Sequence, residues 1–220
     1  LKQRKGRQMN KWFYGILCLI CIFFAPAVWA QSGVGLIGGL NFAGLSVKQD
    51  NDNLSGIEHP TRTAFGAGGM LCLDVPGKLL LQMAPLYLQQ GSKLKIDGEA
   101  SGSIRLAYLN LPLLLRYNTV EDGSGVYFAA GPNIALLLDA VQKDADGAQS
   151  DIKDLLKGID VGLNFSAGIS APLGGNFLFI EAQFGLGVVN IDDSPAAAEG
   201  LTRKTSSIKL MGGMLFPFGR

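Results

Sequence analysis

The amino-acid sequence predicts an all-β protein, an eight-stranded antiparallel up-and-down transmembrane β-barrel. Three observations lead to this prediction. The chain starts with a basic and then apolar stretch that has the pattern of an export signal. Eight later segments alternate apolar residues with small or polar ones, as the two faces of a strand do. Short turns and longer polar segments connect these strands in alternation, which is typical of outer-membrane barrels.

Residues 1–30 have the three parts of a cleaved signal peptide. A basic region precedes the apolar stretch 12–24, and Val28 and Ala30 occupy the −3 and −1 positions of a signal-peptidase site. The basic residues are Lys2, Arg4, Lys5, Arg7 and Lys11. We expect translation to begin at Met9, because the residues from there onwards already form a complete leader. The predicted domains are therefore a signal peptide at 1–30 and an outer-membrane β-barrel at 31–220.

The composition of the chain after this leader excludes several classes of protein. The whole sequence has 19 basic residues, and five of them belong to the leader. The remaining 14 stand against 18 acidic residues, which gives a net charge near −4. A basic surface for nucleic acid is therefore not expected. Cys18 and Cys21 also leave with the leader, so Cys72 is the one remaining cysteine. We predict neither an intramolecular disulfide nor a thiolate metal cluster.

Strand alternation is clearest in residues 159–170, where every second residue is apolar and the others are Asp, Gly, Asn or Ser. Seven other segments show the same alternation less regularly. The eight predicted strands are 33–46, 63–75, 79–91, 103–117, 126–141, 159–170, 177–189 and 207–218. Strands of soluble proteins usually have about five or six residues. The predicted strands are longer and match the roughly 9–11 residues that a tilted strand needs to cross a bilayer.

The connections between these strands are of two kinds. Tight turns are predicted at 76–78, 121–125 and 172–176, and longer polar loops at 48–61, 92–102, 142–157 and 191–203. With eight strands, both termini then lie on the periplasmic side. Within the third loop, residues 150–158 predict one or two helical turns that Ser150 caps and Gly158 ends.

The polar faces of the strands indicate which side meets lipid. They carry mainly glycine, serine and asparagine, which fit the packed interior of a narrow barrel. The apolar faces carry Leu, Ile, Val and Phe, as a lipid-facing band requires. By parity, Asp160, Glu181, Lys209 and Arg116 face inward. Because an unpaired buried charge is costly, we predict a salt-bridged interior without a continuous pore.

Aromatic residues and prolines mark further positions on the predicted strands. Near the strand ends, an aromatic belt is expected from Phe177, Tyr127, Tyr117, Phe216 and Phe218. Inside the strands lie Pro85, Pro112, Pro132 and Pro217, where we expect bulges because proline lacks an amide hydrogen. The sequence leaves the register open around these four prolines.

Two segments resemble a known family. "YLNLPLLLRYN" (108–118) and "YFAAGPNIALLL" (127–138) resemble the central hairpin of the PorT-like family of small outer-membrane β-barrels, also labelled "porin family" or "outer membrane beta-barrel domain". Residues 35–46 and 158–191 resemble its first and later strands, so the likeness covers nearly all of 33–218. It implies an eight-stranded barrel in which prolines of the hairpin are normal, and no uniform activity. Some members are associated with a protein-secretion system. The chain departs from outer-membrane barrels that end on an aromatic residue, since Gly219 and Arg220 follow Phe218.

Motifs for chemistry are weak. Residues 33–38, "GVGLIG", match a dinucleotide fingerprint, but a strand-like run follows where a helix is required. Residues 50–53 and 144–147 resemble calcium loops, yet Leu54 occupies a ligand position of the first, and solvated loops are favoured. The single histidine, His59, lies near Ser55 and Glu58, but neighbours in sequence do not make a catalytic triad. We therefore predict no catalytic, cofactor-binding or metal-binding residue.

These observations lead to a non-enzymatic integral outer-membrane protein that serves as a structural, adhesion or accessory component of the envelope. Its expected partners are outer-membrane lipid and envelope or secretion proteins, and it is expected to be a monomer without a cofactor. The alternative is a soluble exported, lipocalin-like binder of apolar ligands, with the same strands and reversed faces. A third class, a membrane-embedded lipid-modifying hydrolase, depends entirely on His59.

Overall fold

The computed structural model describes residues 32–49, 52–53, 57–58, 62–96, 99–144, 146–191, 193 and 201–218. The predicted signal peptide and His59 lie outside the described residues. The strands are β1 (Gly33–Gln49), β2 (Asp52–Asn53), β3 (Ile57–Glu58), β4 (Arg62–Val75), β5 (Leu79–Met83), β6 (Leu86–Ile96), β7 (Glu99–Asn118), β8 (Gly125–Asp144), β9 (Gln149–Asp151), β10 (Ile159–Leu173), β11 (Asn176–Gly187) and β12 (Leu201–Pro217). One short 3₁₀ helix spans Lys153–Leu155. Among the described residues, no helix is long and apolar enough to cross a membrane.

The long strands close into an antiparallel ring with eight positions in the described part of the chain. β5 and β6 share one position end to end, and the ring runs β1, β4, β5 with β6, β7, β8, β10, β11 and β12. β1 closes it by pairing with both β4 and β12. Such a ring leaves no open edge within the hydrocarbon. The predicted fold class is confirmed.

The two ends of the barrel differ. At what we call the turn end, residues 76–78, 119–124 and 174–175 connect the strands, as predicted. Gly77 and Gly175 have φ angles of 92° and 88°, which only glycine adopts without strain. The Phe218 amide donates a hydrogen bond to the Ser32 carbonyl at 2.6 Å, so both ends of the barrel wall meet here. The opposite end is called the loop end.

At the loop end, the predicted loop 92–102 is wrong. β6 continues to Ile96 and β7 begins at Glu99, and these two residues pair with each other. Polar composition predicted a loop, but a strand that leaves the hydrocarbon region no longer needs apolar side chains. The same reason accounts for the extension of β1 to Gln49.

Side chains alternate between the two faces of the wall, except around the irregularity at Ala107/Tyr108. Outward positions carry exposed apolar residues such as Leu36, which is 66% exposed, and Ile169, which is 61% exposed. Inward positions are buried and include the four charged residues predicted there; they are Arg116, Asp160, Glu181 and Lys209. The inward and outward assignment made from parity is therefore confirmed.

The aromatic belt is only partly as predicted. Tyr117, Phe216 and Phe218 are exposed on the outside. Tyr127 and Phe177 are 1% and 3% exposed and belong to the interior, so their place in the belt was wrong. Closeness to a strand end does not decide the face, because one residue further along the strand reverses it.

The prolines interrupt pairing without producing bulges. The register places Pro85 opposite Gly69 and Pro112 opposite Ala84, and each pair keeps one of its hydrogen bonds. The Gly69 amide donates to the Pro85 carbonyl at 3.1 Å, and the Ala84 amide donates to the Pro112 carbonyl at 3.4 Å. The bonds in the other direction are missing because proline has no amide hydrogen. These two gaps separate β5 from β6.

The register is the same on both sides of this gap, so the expected bulges at the prolines are wrong. β4 pairs with β5 and β6 in one continuous register, and so does β7. Pro132 and Pro217 also lie in regular register. The described irregularities lie instead at Leu94/Lys95 and at Ala107/Tyr108.

Two apolar clusters occupy the interior, and polar side chains fill much of the space between them. The cluster nearer the turn end consists of Ile37, Met70, Cys72, Ala84, Leu86, Tyr127, Phe177, Phe179, Met211 and Leu215. The cluster nearer the loop end consists of Ile104, Leu106, Tyr108, Ala135, Leu137, Ala140, Ile152, Leu156 and Ile191.

Candidate functional site

A chain of polar contacts crosses the interior from β7 to β12, and it begins at Arg116. The guanidinium carbon of Arg116 lies 3.4 Å from the centroid of the Tyr127 ring, which is a cation–π contact. The Nε of Arg116 also donates to Oδ1 of Asn118 at 2.8 Å. The Tyr127 hydroxyl then donates to Oε2 of Glu181 at 3.0 Å. Arg116 and Glu181 are thus joined through the tyrosine between them.

The second half of this chain leads from Glu181 to Lys209. Nε2 of Gln183 donates to Oε1 of Glu181, and Nζ of Lys209 donates to Oε1 of Gln183 at 3.3 Å. All three side chains are at most 3% exposed. A neutral amide therefore connects an inward carboxylate to an inward ammonium group.

The predicted salt-bridged interior is wrong in its chemistry. In the described part of the chain, the four inward charges form no ion pair with one another. Ion pairs are found at the surface instead, between Lys78 and Glu121 at 3.9 Å and between Arg105 and Asp139 at 4.0 Å. Parity predicts the face on which a charge lies. It does not predict whether two side chains on distant strands reach each other.

Glycines on the inner face make room for the large side chains of this network. A Cβ on Gly168 would overlap the end of the Tyr127 side chain, and one on Gly213 would overlap the Phe179 ring and a backbone carbonyl. Each of these glycines lies directly opposite its aromatic residue on the neighbouring strand, Gly168 opposite Tyr127 and Gly213 opposite Phe179. The glycine-rich inner face of the sequence is thus the counterpart of its buried aromatic residues.

A polar cavity of about 20 Å³ lies beside this network, towards the loop end. Its lining is almost entirely polar or glycine, and the lining residues are Gln90, Asn110, Asn133, Asp160, Gly162, Asn164, Gly185, Leu186, Gly187, Thr205, Ser207 and Lys209. A cavity of this size holds about one water molecule. It does not provide a path for a larger solute.

The chain that follows β9 folds against the inner wall at the loop end. Ile152 and Leu156 flank the 3₁₀ helix and, with Ile191, pack into the apolar cluster there. The Leu137 amide donates to the Gly158 carbonyl at 2.8 Å, which fastens the segment to β8. This segment therefore covers part of the barrel interior at the loop end.

The helix predicted in this segment is present as a single 3₁₀ turn, but its predicted cap is wrong. Ser150 lies in β9, and Ile152 is the residue that precedes the helix. Oδ1 of Asp151 instead accepts a hydrogen bond from the Lys153 amide at 2.9 Å. The aspartate is one residue closer to the helix than the serine.

β7 and β8 are the longest strands in the described part of the ring. Each has 20 residues, whereas β11 has 12. At about 3.4 Å per residue, a 20-residue strand is long enough to extend beyond a hydrocarbon core of about 30 Å, even when tilted. Residues 99–105 of β7 and 139–144 of β8, which we call the loop-end wall, include exposed charged side chains: Arg105, Asp139, Lys143 and Asp144.

The weak motifs of the sequence do not come together into a chemical site. Residues 33–38 lie within β1, with no helix after them, so the dinucleotide fingerprint is not in its required setting. Asp50, Ser55 and His59 lie outside the described residues. Among the residues that are described, no three acidic, histidine or cysteine side chains are close enough to hold a metal ion. The sequence analysis did not predict that Arg116, Tyr127, Glu181, Gln183 and Lys209 form one connected network.

Solved structures with a similar arrangement are outer-membrane proteins. OprG from Pseudomonas aeruginosa is 15% identical over 84% of this chain and 96% of that chain, with a TM-score of 0.48. Neisserial surface protein A is 14% identical over 85% and 98%, also with a TM-score of 0.48. The outer membrane protease OmpT from Escherichia coli is 8% identical over 89% and 100%, with a TM-score of 0.47. Because these scores are below 0.5, they carry no conclusion about activity.

Comparison with curated protein sequences gives no significant match. A family model described as "Outer membrane protein beta-barrel domain" matches residues 29–193, which is most of the chain. It covers every strand of the ring from β1 to β11. The chain belongs to the outer membrane protein beta-barrel domain family.

Proposed function

We propose that this barrel anchors the loop-end wall in the outer membrane, as a structural, adhesion or accessory component of the envelope. The observation that carries the proposal is a contrast within the described residues. The described interior is lined by buried side chains around a polar cavity of about 20 Å³, while β7 and β8 extend past the apolar band with charged side chains. The surface available for recognition is then the outer wall and not the lumen.

The proposal includes export of the chain through a cleaved signal peptide at residues 1–30. It also includes a monomeric barrel surrounded by outer-membrane lipid. Envelope or secretion proteins are its further partners, in keeping with the PorT-like resemblance of the central hairpin. Lipid as the main neighbour is supported by the ring of exposed Leu, Ile, Val and Phe side chains on the outer face.

The lipocalin-like alternative is not supported. A soluble binder of apolar ligands needs its apolar face inside the barrel and a polar face in water. Here Glu181, Gln183 and Lys209 are buried inside, whereas Leu163, Phe165 and Ile180 are exposed outside. The arrangement of the faces is the opposite of what that function requires.

We further propose that the barrel is not an enzyme. The hydrolase hypothesis depends on His59, and the inner network contains no histidine. Replacing His59 by alanine and comparing the lipid composition of the outer membrane tests it. An unchanged composition supports the proposal, and a changed one contradicts it.

The main experiment compares charge at the loop-end wall with charge at the turn end. A strain without the gene is complemented with wild type, with Lys143→Gln/Asp144→Asn, or with the matched variant Lys78→Gln/Glu121→Gln. All four residues contribute to the barrel surface, so the barrel should fold in each case. Attachment of intact cells to a surface and survival in detergent are then measured.

An adhesion role predicts that only the wall variant loses attachment. A structural role predicts that deletion lowers detergent survival and that both variants restore it. Purified wild type reconstituted in liposomes should give no swelling with a small sugar. Swelling would show a channel and contradict a role based on the outer surface.

A further inference from the structure

Three buried residues form a row across three neighbouring strands. Asn110 of β7 and Asp160 of β10 both lie opposite Ala135 of β8, one on each side. All three face inward and are at most 5% exposed. Adjacent strands are about 4.8 Å apart, so the backbones of Asn110 and Asp160 are separated by about 10 Å. Only the methyl group of Ala135 lies between their side chains on this row.

Around this row, several side-chain atoms are already bonded. Nδ2 of Asn133 donates to Oδ1 of Asn110 at 2.8 Å. The Thr205 hydroxyl donates to Oδ2 of Asp160 at 2.7 Å. These bonds use one atom of each amide and one oxygen of the carboxylate.

The remaining three atoms are buried and have no partner. They are Nδ2 of Asn110, Oδ1 of Asn133 and Oδ1 of Asp160. All three residues line the same polar cavity of about 20 Å³. A buried polar group without a hydrogen bond is strongly unfavourable, so an occupant of the cavity that bonds all three is expected.

The number of donors and acceptors identifies this occupant. Of the three lining atoms without a partner, two are acceptors and one is a donor, and exchanging the oxygen and nitrogen of both amides leaves that count unchanged. A cation would be repelled by the donor, and an anion by the carboxylate. A water molecule donates two hydrogen bonds and accepts one or two, and the cavity has room for one. We propose that an ordered water bridges Asn110, Asn133 and Asp160 inside the barrel.

This water gives the Asp160 carboxylate a second hydrogen bond beside the one from Thr205. It also links β7 to β10 across the small residue of β8. It replaces the ion pair that the charge of Asp160 would otherwise require. Ala135 lies between the two bridged residues in the register, so a larger side chain there would reach towards the water.

A substitution at Ala135 tests the proposal, because a bound water and a dry void predict opposite changes in the thermal stability of the barrel. Ala135→Val adds methyl groups between Asn110 and Asp160, the two residues that the water bridges across β8, so it should displace the water and lower the temperature at which the barrel loses its heat-resistant gel mobility, by about 2 °C or more. If the space is a dry void, filling it should raise that temperature or leave it unchanged. Ala129→Val changes an inward alanine of the same strand that lies opposite Arg116 and Ser166, away from this row, and it measures the general cost of the larger side chain.

A direct measurement uses the wild-type protein. Nuclear magnetic resonance in detergent should show magnetisation transfer from a long-lived water to the side-chain amide protons of Asn110 and Asn133. The signal should disappear in Ala135→Val and remain in Ala129→Val. Absence of this transfer in wild type, or an Ala135→Val barrel as stable as wild type, would overturn the proposal. If Ala135→Val does not fold, the wild-type measurement alone decides.

Discussion

At the scale of single residues, Gly168 controls the position of Tyr127. A Cβ at this position would overlap the tyrosine side chain and approach the Ile180 carbonyl. We predict that Gly168→Ala displaces the ring, breaks its hydrogen bond to Glu181 and lowers the stability of the barrel by about 1–3 kcal/mol. The temperature of the gel-mobility transition measures this loss. Gly212→Ala is the control, because a Cβ there meets its neighbours at ordinary distances; an equal loss in both variants would contradict the explanation.

Two buried glutamines provide a second prediction at this scale. Gln183 bonds both Glu181 and Lys209, whereas both side-chain atoms of Gln82 lack a partner among the described residues. Gln183→Leu should destabilise the barrel by about 3–5 kcal/mol, because it leaves two buried charges without their shared amide. Gln82→Leu should be neutral or stabilising, because it removes buried polar atoms and loses no bond.

The measurement for this pair is the denaturant midpoint of the barrel in detergent. Both glutamines are at most 2% exposed, so a simple effect of burial would change the two variants equally. Equal destabilisation would therefore show that the bonds of Gln183 are not what matters.

Residue parity explains how much of the site the sequence could predict. The inward positions of Asp160 and Glu181 follow from alternation alone, because a strand has only two faces. Their partners do not follow from it. Gln183 looks like any other polar position of the inner face, and its role depends on the register that sets it opposite Lys209 on the neighbouring strand. The row formed by Asn110, Ala135 and Asp160 likewise appears only when the register of three strands is known.

At the scale of elements, the gap between β5 and β6 predicts a local difference in hydrogen exchange. The Gly69 and Ala84 carbonyls face proline nitrogens, so each of these pairs has one bond instead of two. The Ala84 amide should exchange faster than that of Gln82, which lies in the next hydrogen-bonded pair of this ladder, opposite Leu114. Pro112→Ala restores a donor opposite Ala84 and should slow the exchange there. Unchanged exchange would show that the missing bond does not weaken the ladder.

The lengths of the elements were less predictable than their number. Eight strands follow from eight alternating segments, and the tight turns follow from their glycines and prolines. The segment 92–102 was predicted as a loop because Lys93, Lys95 and its neighbours are polar. A strand needs an apolar face only where lipid or a core covers it, so composition does not show where a strand ends above the membrane. The irregularity at Ala107/Tyr108 has no sequence signal, since it contains neither glycine nor proline.

At the scale of the whole molecule, the barrel has a definite direction in the membrane. Short turns lie at one end, and the loop-end wall and the covering segment around Ile152 lie at the other. Outer-membrane barrels place their short turns in the periplasm. We therefore predict that the loop-end wall is exposed on the cell surface, where the proposed function requires it to be.

This direction is tested with single cysteines in a Cys72→Ala background, where the native buried thiol is absent. Lys143→Cys places a thiol on the wall, and Val120→Cys places one in the turn 119–124; both positions are exposed. A membrane-impermeant maleimide should label Lys143→Cys on intact cells and Val120→Cys only after the outer membrane is disrupted. The opposite pattern would reverse the barrel. Labelling of both on intact cells would mean that the turn end is also open to the outside. Only the opposite pattern would remove the wall from its proposed role, because recognition at the cell surface needs the charged ends of β7 and β8 outside.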